Sequence, residues 1–475
     1  MHINYSNFLS VCVMLICMAC DMQPAQDQMN SSVDEYMPQP LRDDIQVEMF
    51  LEVERGGIRL AREPISGDLY YNTMKGDIFR ISENTDGSFS QKKVFTVEDH
   101  GIAYLQGMRF YDSLLFLAGN IRVNDEKALK GKVVRGHLNA KGNYDFTLLA
   151  ITSAYAKPKT LYSHEFNGIA ISPDGEYIYV NSGARTDHGE VQDNDGLYPN
   201  LREVPLTACI FRLPAQGENI LLKNDSSYLA ENGYLFSDGI RNNYDLAFAP
   251  NGHLFGVSNS SDYDHAEEMN WLREGHHYGY PWEMGNTQNP QQFPDWVPDP
   301  EHDPFINRAA YAYNHHYFAA DPDFPKKPKG LIITPPIQNE GPDANFYRDR
   351  ETGEVKDGDE TGVSVGTFTP HRSPLGLIFD KDSVLIDPFR GDGFVLSYSS
   401  NTQPLMRPFP DPGGDMLHLK LSYDPEIDNY KVNCYRIIEN LSGPTDALMI
   451  DNVVYIMENR GMIWKVTLPS RALSL

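Results

Sequence analysis

Residues Ser66–Ile81 read SGDLYYNTMKGDIFRI: two short runs rich in Tyr, Ile and Phe, on either side of a Gly-Asp turn. Runs of this kind suit half-buried strands, and a glycine between them supplies the positive φ that a tight hairpin needs. The unit recurs at Tyr111–Asn120 (YDSLLFLAGN), Ser172–Gly183 (SPDGEYIYVNSG) and Ala249–Ser258 (APNGHLFGVS). It appears again at Asp380–Ser397 (DKDSVLIDPFRGDGFVLS) and Ile450–Leu468 (IDNVVYIMENRGMIWKVTL). The Asp-Gly and Asn-Gly pairs are expected to form type I′ turns, with both central residues at positive φ. Amphipathic helical periodicity is scarce. Six hairpin units in one body predict an all-β fold, a six-bladed β-propeller of four-stranded antiparallel blades spanning residues 46–470.

The units are unevenly spaced, and residues 285–367 form a loop-rich insertion crowded with Pro, Asp and Asn. It holds FPDWVPDPEHDPF (293–305) and AADPDFPKKPKG (319–330). Long loops over one face of a propeller are where its sites are placed. The aromatic first part is expected to be ordered, and the charged run Arg348–Thr361 mobile.

The first residues read differently. Met1–Asn7 is polar, and Phe8–Ala19 is a nearly unbroken apolar stretch of 12 residues followed by Cys20. A bilayer span takes roughly 20 residues, so this stretch fits a signal peptide (1–19) better than an anchor. A small residue directly before cysteine resembles a bacterial lipoprotein cleavage site, with Cys20 as the lipidated N-terminus. Residues 20–45 then read as a polar tether. These features predict an exported lipoprotein facing the periplasm or cell surface, with a membrane contact only through its lipid.

With 66 acidic and 40 basic residues, the chain carries a net charge of −26. Such a surface repels phosphate backbones and excludes nucleic acid as a partner. Two cysteines remain in the body, Cys209 and Cys434, which either pair or are buried separately. The adjacent pairs His276-His277 and His315-His316 point apart on a strand and make poor metal chelates. No Gly-rich phosphate loop and no Gly-x-Ser-x-Gly elbow is present, which argues against nucleotide and α/β-hydrolase chemistry.

One block is more specific. Asp238–Glu283 contains Gly239, Arg241-Asn242, Pro250-x-Gly252, Glu268-x-Asn270, then Gly275, Tyr278-Gly279 and Pro281. This set at this spacing resembles the signature of the glucose/sorbosone dehydrogenases. Ser163–Gly183, Pro370–Leu377 (PHRSPLGL) and Phe389–Asp392 (FRGD) are similar to further segments of that family. The resemblance covers about half the chain; over Gln46–Leu161 it is only architectural.

The resemblance implies a six-bladed propeller that oxidises an aldose or related sugar at C1, with pyrroloquinoline quinone (PQQ), calcium and an external electron acceptor. It implies His164 as catalytic base, a role suited to imidazole. Arg241 matches the family arginine beside the quinone carbonyls, and Asn242 a cofactor-binding amide. Glu268 and Asn270 are expected to hold their loop. Three departures stand out. Gly183 is followed by Ala184 rather than Asp, leaving Asp187 as a substitute carboxylate. The calcium-presenting turn is replaced by Asn259–Tyr263 (NSSDY), so Asp262 and Asp264 are the oxygen donors on offer for the metal. The stretches that carry family cations read Ser397–Asn401 (SYSSN) and Leu441–Asp446 (LSGPTD), with Arg372, Arg390 and Arg460 as nearby replacements. Two other readings use the same scaffold: a glycan- or ligand-binding propeller without catalysis, and a calcium-dependent lactonase-like hydrolase.

Overall fold

The computed structural model describes residues 37–299, 306, 313, 321–402 and 409–471. The signal segment, Cys20, His315-His316 and part of the loop-rich insertion lie outside the described residues. Six sheets are arranged as the blades of a propeller, and each of the six hairpin units falls in a different blade.

Blade 1 runs Gly57–Arg62, Leu69–Thr73, Ile78–Glu83 and Phe89–Phe95. Blade 2 runs Tyr104–Tyr111, Leu114–Val123, Ala128–Leu138 and Tyr144–Thr152. Blade 3 runs Glu165–Ile171, Tyr177–Gly183, Cys209–Pro214 and Leu235–Asp238. Blade 4 has three paired strands among the described residues, Asn243–Phe248, Leu254–Ser258 and Glu268–Leu272. Blade 5 runs Pro374–Phe379, Gly393–Ser397, Met416–Asp424 and Asn429–Glu439.

Blade 6 closes the ring. Pro444–Ile450, Val453–Glu458 and Met462–Thr467 come from the end of the chain, and Gln46–Glu52 pairs with Met462–Thr467 from its beginning. This pairing closes the ring, because residues more than 400 positions apart in sequence share one sheet. The pairing begins earlier than residue 46: Gln39–Pro40 adds to the edge of blade 5, and Ile45 is buried. The tail of the expected tether therefore belongs to the propeller.

Apolar side chains fill the spaces between neighbouring blades. Phe116, Leu129, Phe166, Ile178 and Phe211 pack between blades 2 and 3, while Phe394, Leu396, Ile456 and Trp464 pack between blades 5 and 6. Cys209 and Cys434 are buried separately as free thiols in blades 3 and 5.

The glycine turns differ from expectation. In the Thr73–Asp77, Ala249–His253 and Asn84–Ser88 turns, the glycine N–H reaches back to the residue three before it. Gly76, Gly252 and Gly87 have positive φ, but Lys75, Asn251 and Asp86 do not. These are three-residue loops, a type I turn followed by one left-handed glycine, and only the glycine needs conformational freedom. The charged run Arg348–Thr361, expected to be mobile, instead forms a hairpin of Phe346–Arg348 with Val355–Asp357 and a helical turn, Gly358–Thr361. Lys356 and Asp349 pair across that hairpin at 2.7 Å. No helix among the described residues is long and apolar enough to cross a membrane.

Candidate functional site

Each blade's first strand lines the axis, and in all six the pairing register slips near the strand's start. The slips fall at Gly57/Arg59, Leu105/Gly107, Phe166/Ile169, Asn243/Asp245, Leu375/Ile378 and Pro444/Asp446. A bulge bends its strand and re-aims the side chains beside it. Here the bulges turn polar residues toward the axis at one end of the ring. There a cavity of about 470 Å³ opens, bordered by the starts of the first strands of blades 2, 3 and 4. A second cavity of about 370 Å³ lies among the ends of the first strands of all six blades. Between them, Arg59 and Arg109 interleave with Asp245 and Asp446: Arg109 Nη2 donates to Asp245 at 2.9 Å, and Arg59 Nη1 lies 3.5 and 3.6 Å from the two carboxylates. Two positive and two negative charges neutralise each other in the middle of the axis.

His164 lines the larger cavity, immediately before the first strand of blade 3. Its N–H donates to the Ala184 carbonyl at 3.0 Å, and Ala184 N–H donates to the Arg241 carbonyl at 2.7 Å. Blades 3 and 4 are thus tied together at this point. Gly183 makes the approach possible: a Cβ there would lie 2.4 Å from His164 Cβ and 3.0 Å from Asn242 Oδ1. His164 Nε2 is buried and has no hydrogen-bond partner in the protein. Burial, and next the Arg241 charge, hold its pKa well below the usual histidine value, against an opposing pull from Asp187. The ring is therefore a neutral imidazole.

Asn242 also lines the cavity. Its Oδ1 accepts from Asn167 at 2.7 Å and Asn181 at 3.3 Å, and its Nδ2 donates to Asn259 Oδ1 at 3.1 Å. Arg241 is buried behind this wall. All three guanidinium nitrogens donate to protein: Nε to the Asp187 carbonyl, Nη1 to the Asn259 carbonyl at 3.0 Å, and Nη2 to Asp187 Oδ1. Asp187, the substitute carboxylate, also bonds His188 Nδ1 at 2.7 Å through its other oxygen.

Asp262 and Asp264 occupy separate environments. Asp262 accepts from Tyr162 OH, and burial, with Asp187 adding, pushes its pKa up to about 6. Asp264 is bonded by His371 Nε2 at 2.6 Å and Arg348 Nε at 2.5 Å. A carboxylate already held by a guanidinium and an imidazole is a poor ligand for a dication, and among the described residues no set of three or more such side chains converges on a metal position. Asp262 and Asp264 therefore do not together form a carboxylate site for calcium. Glu268 and Asn270 bond each other at 3.0 Å, and Glu268 accepts Gly285 N–H at 2.7 Å, holding their loop.

The replacement arginines do not reach the cavity. Arg372 is buried against Asp411 and Asp415, Arg460 pairs with Glu458 at 2.6 Å, and Arg390 lies 3.9 Å from Asp387. The cations come instead from the opposite side: Arg122, Lys127, Lys157 and Lys159 line the cavity from blade 2 and the segment before His164. Arg122 lies over the Tyr104 ring at 4.3 Å, and Lys159 pairs with Asp195 at 2.7 Å. Sequence reasoning missed them, although Lys157-Pro158-Lys159 is a basic run just upstream of His164 in an acidic chain. Glu165, Gln106 and Tyr244, also on the wall, were missed as well.

Solved structures share this architecture. The soluble aldose sugar dehydrogenase of Escherichia coli, in its apo form, matches with a TM-score of 0.53 at 16% identity, over 89% of this chain and 99% of that one. The PQQ domain of a pyranose dehydrogenase from Coprinopsis cinerea, in its holo form, matches with a TM-score of 0.52 at 11% identity, over 91% and 97%. A glucose dehydrogenase matches at 0.53 and 14% identity, over 90% and 100%. No protein-family model and no curated protein matches the sequence. At these identities the likeness is one of fold. The chain has the six-bladed propeller fold of the solved aldose, pyranose and glucose dehydrogenases.

Proposed function

We propose that the protein is an oxidoreductase that oxidises an aldose or related sugar at C1 with a bound PQQ. The observation that carries this reading is His164: a neutral, half-buried imidazole whose Nε2 atom is itself buried and lacks a protein partner, on the wall of an axial cavity that carries four cations. A buried nitrogen with no partner calls for a ligand or water to satisfy it.

The cavity wall carries four cations, Arg122, Lys127, Lys157 and Lys159, against three carboxylates, Glu126, Glu165 and Asp195, of which Asp195 pairs with Lys159. PQQ carries three carboxylates, and a neutral pocket would bind it poorly. Arg122, Lys127 and Lys157 would hold those carboxylates, and the amides of Gln106 and Asn242 would meet its polar edge. When bound, the quinone supplies the two-electron acceptor. His164 takes the proton from the C1 hydroxyl, which an imidazole already neutral can do without first losing one of its own. Arg241 acts indirectly: it keeps His164 neutral and, through Asp187 and Asn259, fixes the loops behind it. No step is assigned to calcium. In the same reading the protein is exported through residues 1–19, lipidated at Cys20, and passes electrons to an external acceptor.

Adding PQQ to the purified protein and following dye reduction across an aldose panel tests this reading. Saturable quinone binding with sugar-dependent reduction is the expected result. Failure to bind at micromolar quinone would leave a ligand-binding propeller instead.

A further inference from the structure

Glu165 follows His164 directly, yet both line the same cavity. In an extended strand consecutive side chains point to opposite faces, so one of the two should be turned away. The backbone avoids this by placing Glu165 at φ 61°, the left-handed region that residues with a Cβ enter only at an energetic cost. Glu165 pairs with Gly183, and the register then slips between Phe166 and Ile169. The bulge and the left-handed residue together bring His164, Glu165 and Asn167 to one wall.

The carboxyl of Glu165 is buried but poorly satisfied. A carboxylate offers about four acceptor positions, and the hydrogen bond it receives, from Ser163 Oγ, is long at 3.4 Å. Burial pushes its pKa up, while the charges of Arg122 and Lys157 pull it down. A left-handed backbone that turns the side chain to the cavity, and a carboxyl to which the protein gives one long hydrogen bond, point to a group that meets a ligand.

We propose that Glu165 is a second substrate-contacting residue, whose carboxylate accepts a hydrogen bond from a saccharide hydroxyl while His164 takes the proton from the reacting one. This rests on the sugar-oxidising reading above. It makes the site selective for polyhydroxylated substrates: a ligand lacking that hydroxyl leaves a buried carboxylate unpaired, which a site of this kind rejects strongly.

The test compares wild type with Glu165→Gln and Glu165→Ala, on the best aldose of the panel and its monodeoxy derivatives. Sugar binding by titration calorimetry and dye reduction by the quinone-loaded protein are both read. One deoxy derivative should lose roughly tenfold or more in binding and kcat/KM with wild type. Glu165→Ala should lose a similar factor on the parent sugar and no longer distinguish the two, with the acid limb of the pH profile unmoved. A wild type indifferent to every deletion, a variant that keeps the discrimination, or no sugar binding at all would overturn the proposal. Sugar binding with Glu165-dependent discrimination but no dye reduction would sustain it while refuting the oxidation reading. Glu165→Gly, which suits the left-handed backbone, separates fold from function. An unchanged or higher melting temperature supports the assignment, and a fall accompanied by loss of all binding would make Glu165 structural.

Discussion

Asp187 holds Arg241 at two points: its carboxylate accepts from Nη2 at 2.8 Å and its main-chain carbonyl from Nε at 2.7 Å. Both residues are buried, so the pair stands in a medium where an uncompensated charge is expensive. It joins the loop between the second and third strands of blade 3 to the start of blade 4, directly behind His164. An arginine that the family resemblance casts as facing the cofactor is here part of the wall's support.

Removing the carboxylate should therefore be costly. Asp187→Ala is expected to lose roughly 3–5 kcal/mol in equilibrium urea unfolding, because the guanidinium would remain buried without its counter-charge. A loss under about 1 kcal/mol would place the pair among weak surface-like bridges and remove the argument for its supporting role.

The pH dependence of turnover follows from His164. Burial first and Arg241 second keep its pKa below the ordinary 6.5. As a base it must be neutral, so the rate should stay level from alkaline pH down through 6.5 and fall only as pH drops through the lowered value. An acid limb centred at or above 6.5 in kcat/KM would contradict the assignment.

Glu267 makes a stability prediction of the opposite sign. It is buried, accepting Ser260 N–H at 2.6 Å and Ser373 N–H at 3.2 Å, and burial raises its pKa from 4.5 to about 7. A raised folded-state pKa means the native state binds the extra proton, so its contribution is full below 4.5 and lost as pH rises through 7. Glu267→Gln mimics the protonated form. Its melting temperature relative to wild type should climb between pH 5 and pH 8, by an amount corresponding to roughly 2 kcal/mol. A difference that does not change with pH would show that Glu267 does not titrate in this way.

The cation wall predicts a salt effect. Arg122→Ala and Lys157→Ala should each weaken PQQ binding roughly tenfold and flatten its dependence on ionic strength, measured by quenching titrations at low and high salt. Unchanged affinity in both variants would place the quinone carboxylates elsewhere.

Much of the architecture was legible because it depends on local pattern. Each hairpin unit carries its own alternation and turn glycine, and each became part of one blade. Ring closure by Gln46–Glu52 was not legible, since it depends on a contact between chain ends that no local pattern encodes. Placement of the site divides in the same way. His164 and Asn242, paired only through the family resemblance, both line the cavity, whereas Asp262 and Asp264 have different hydrogen-bond partners. The family resemblance points for cations to the end of blade 5's second strand and the start of blade 6, whereas the fold brings Arg122 and Lys157 to the cavity from blade 2 and the segment after it. Glu165 was invisible for another reason: period-2 alternation assigns it to the face opposite His164, and only the left-handed backbone overturns that.

The most direct test of the account is dye reduction by the PQQ-loaded protein, wild type against His164→Ala. Because His164 Nε2 has no protein partner, removing the ring leaves no protein group unpaired at that atom and the fold should persist. The account predicts sugar-dependent reduction by wild type, and its loss in His164→Ala with quinone affinity nearly intact. Turnover by the variant at the wild-type rate, or equal loss of turnover and quinone binding, would contradict it.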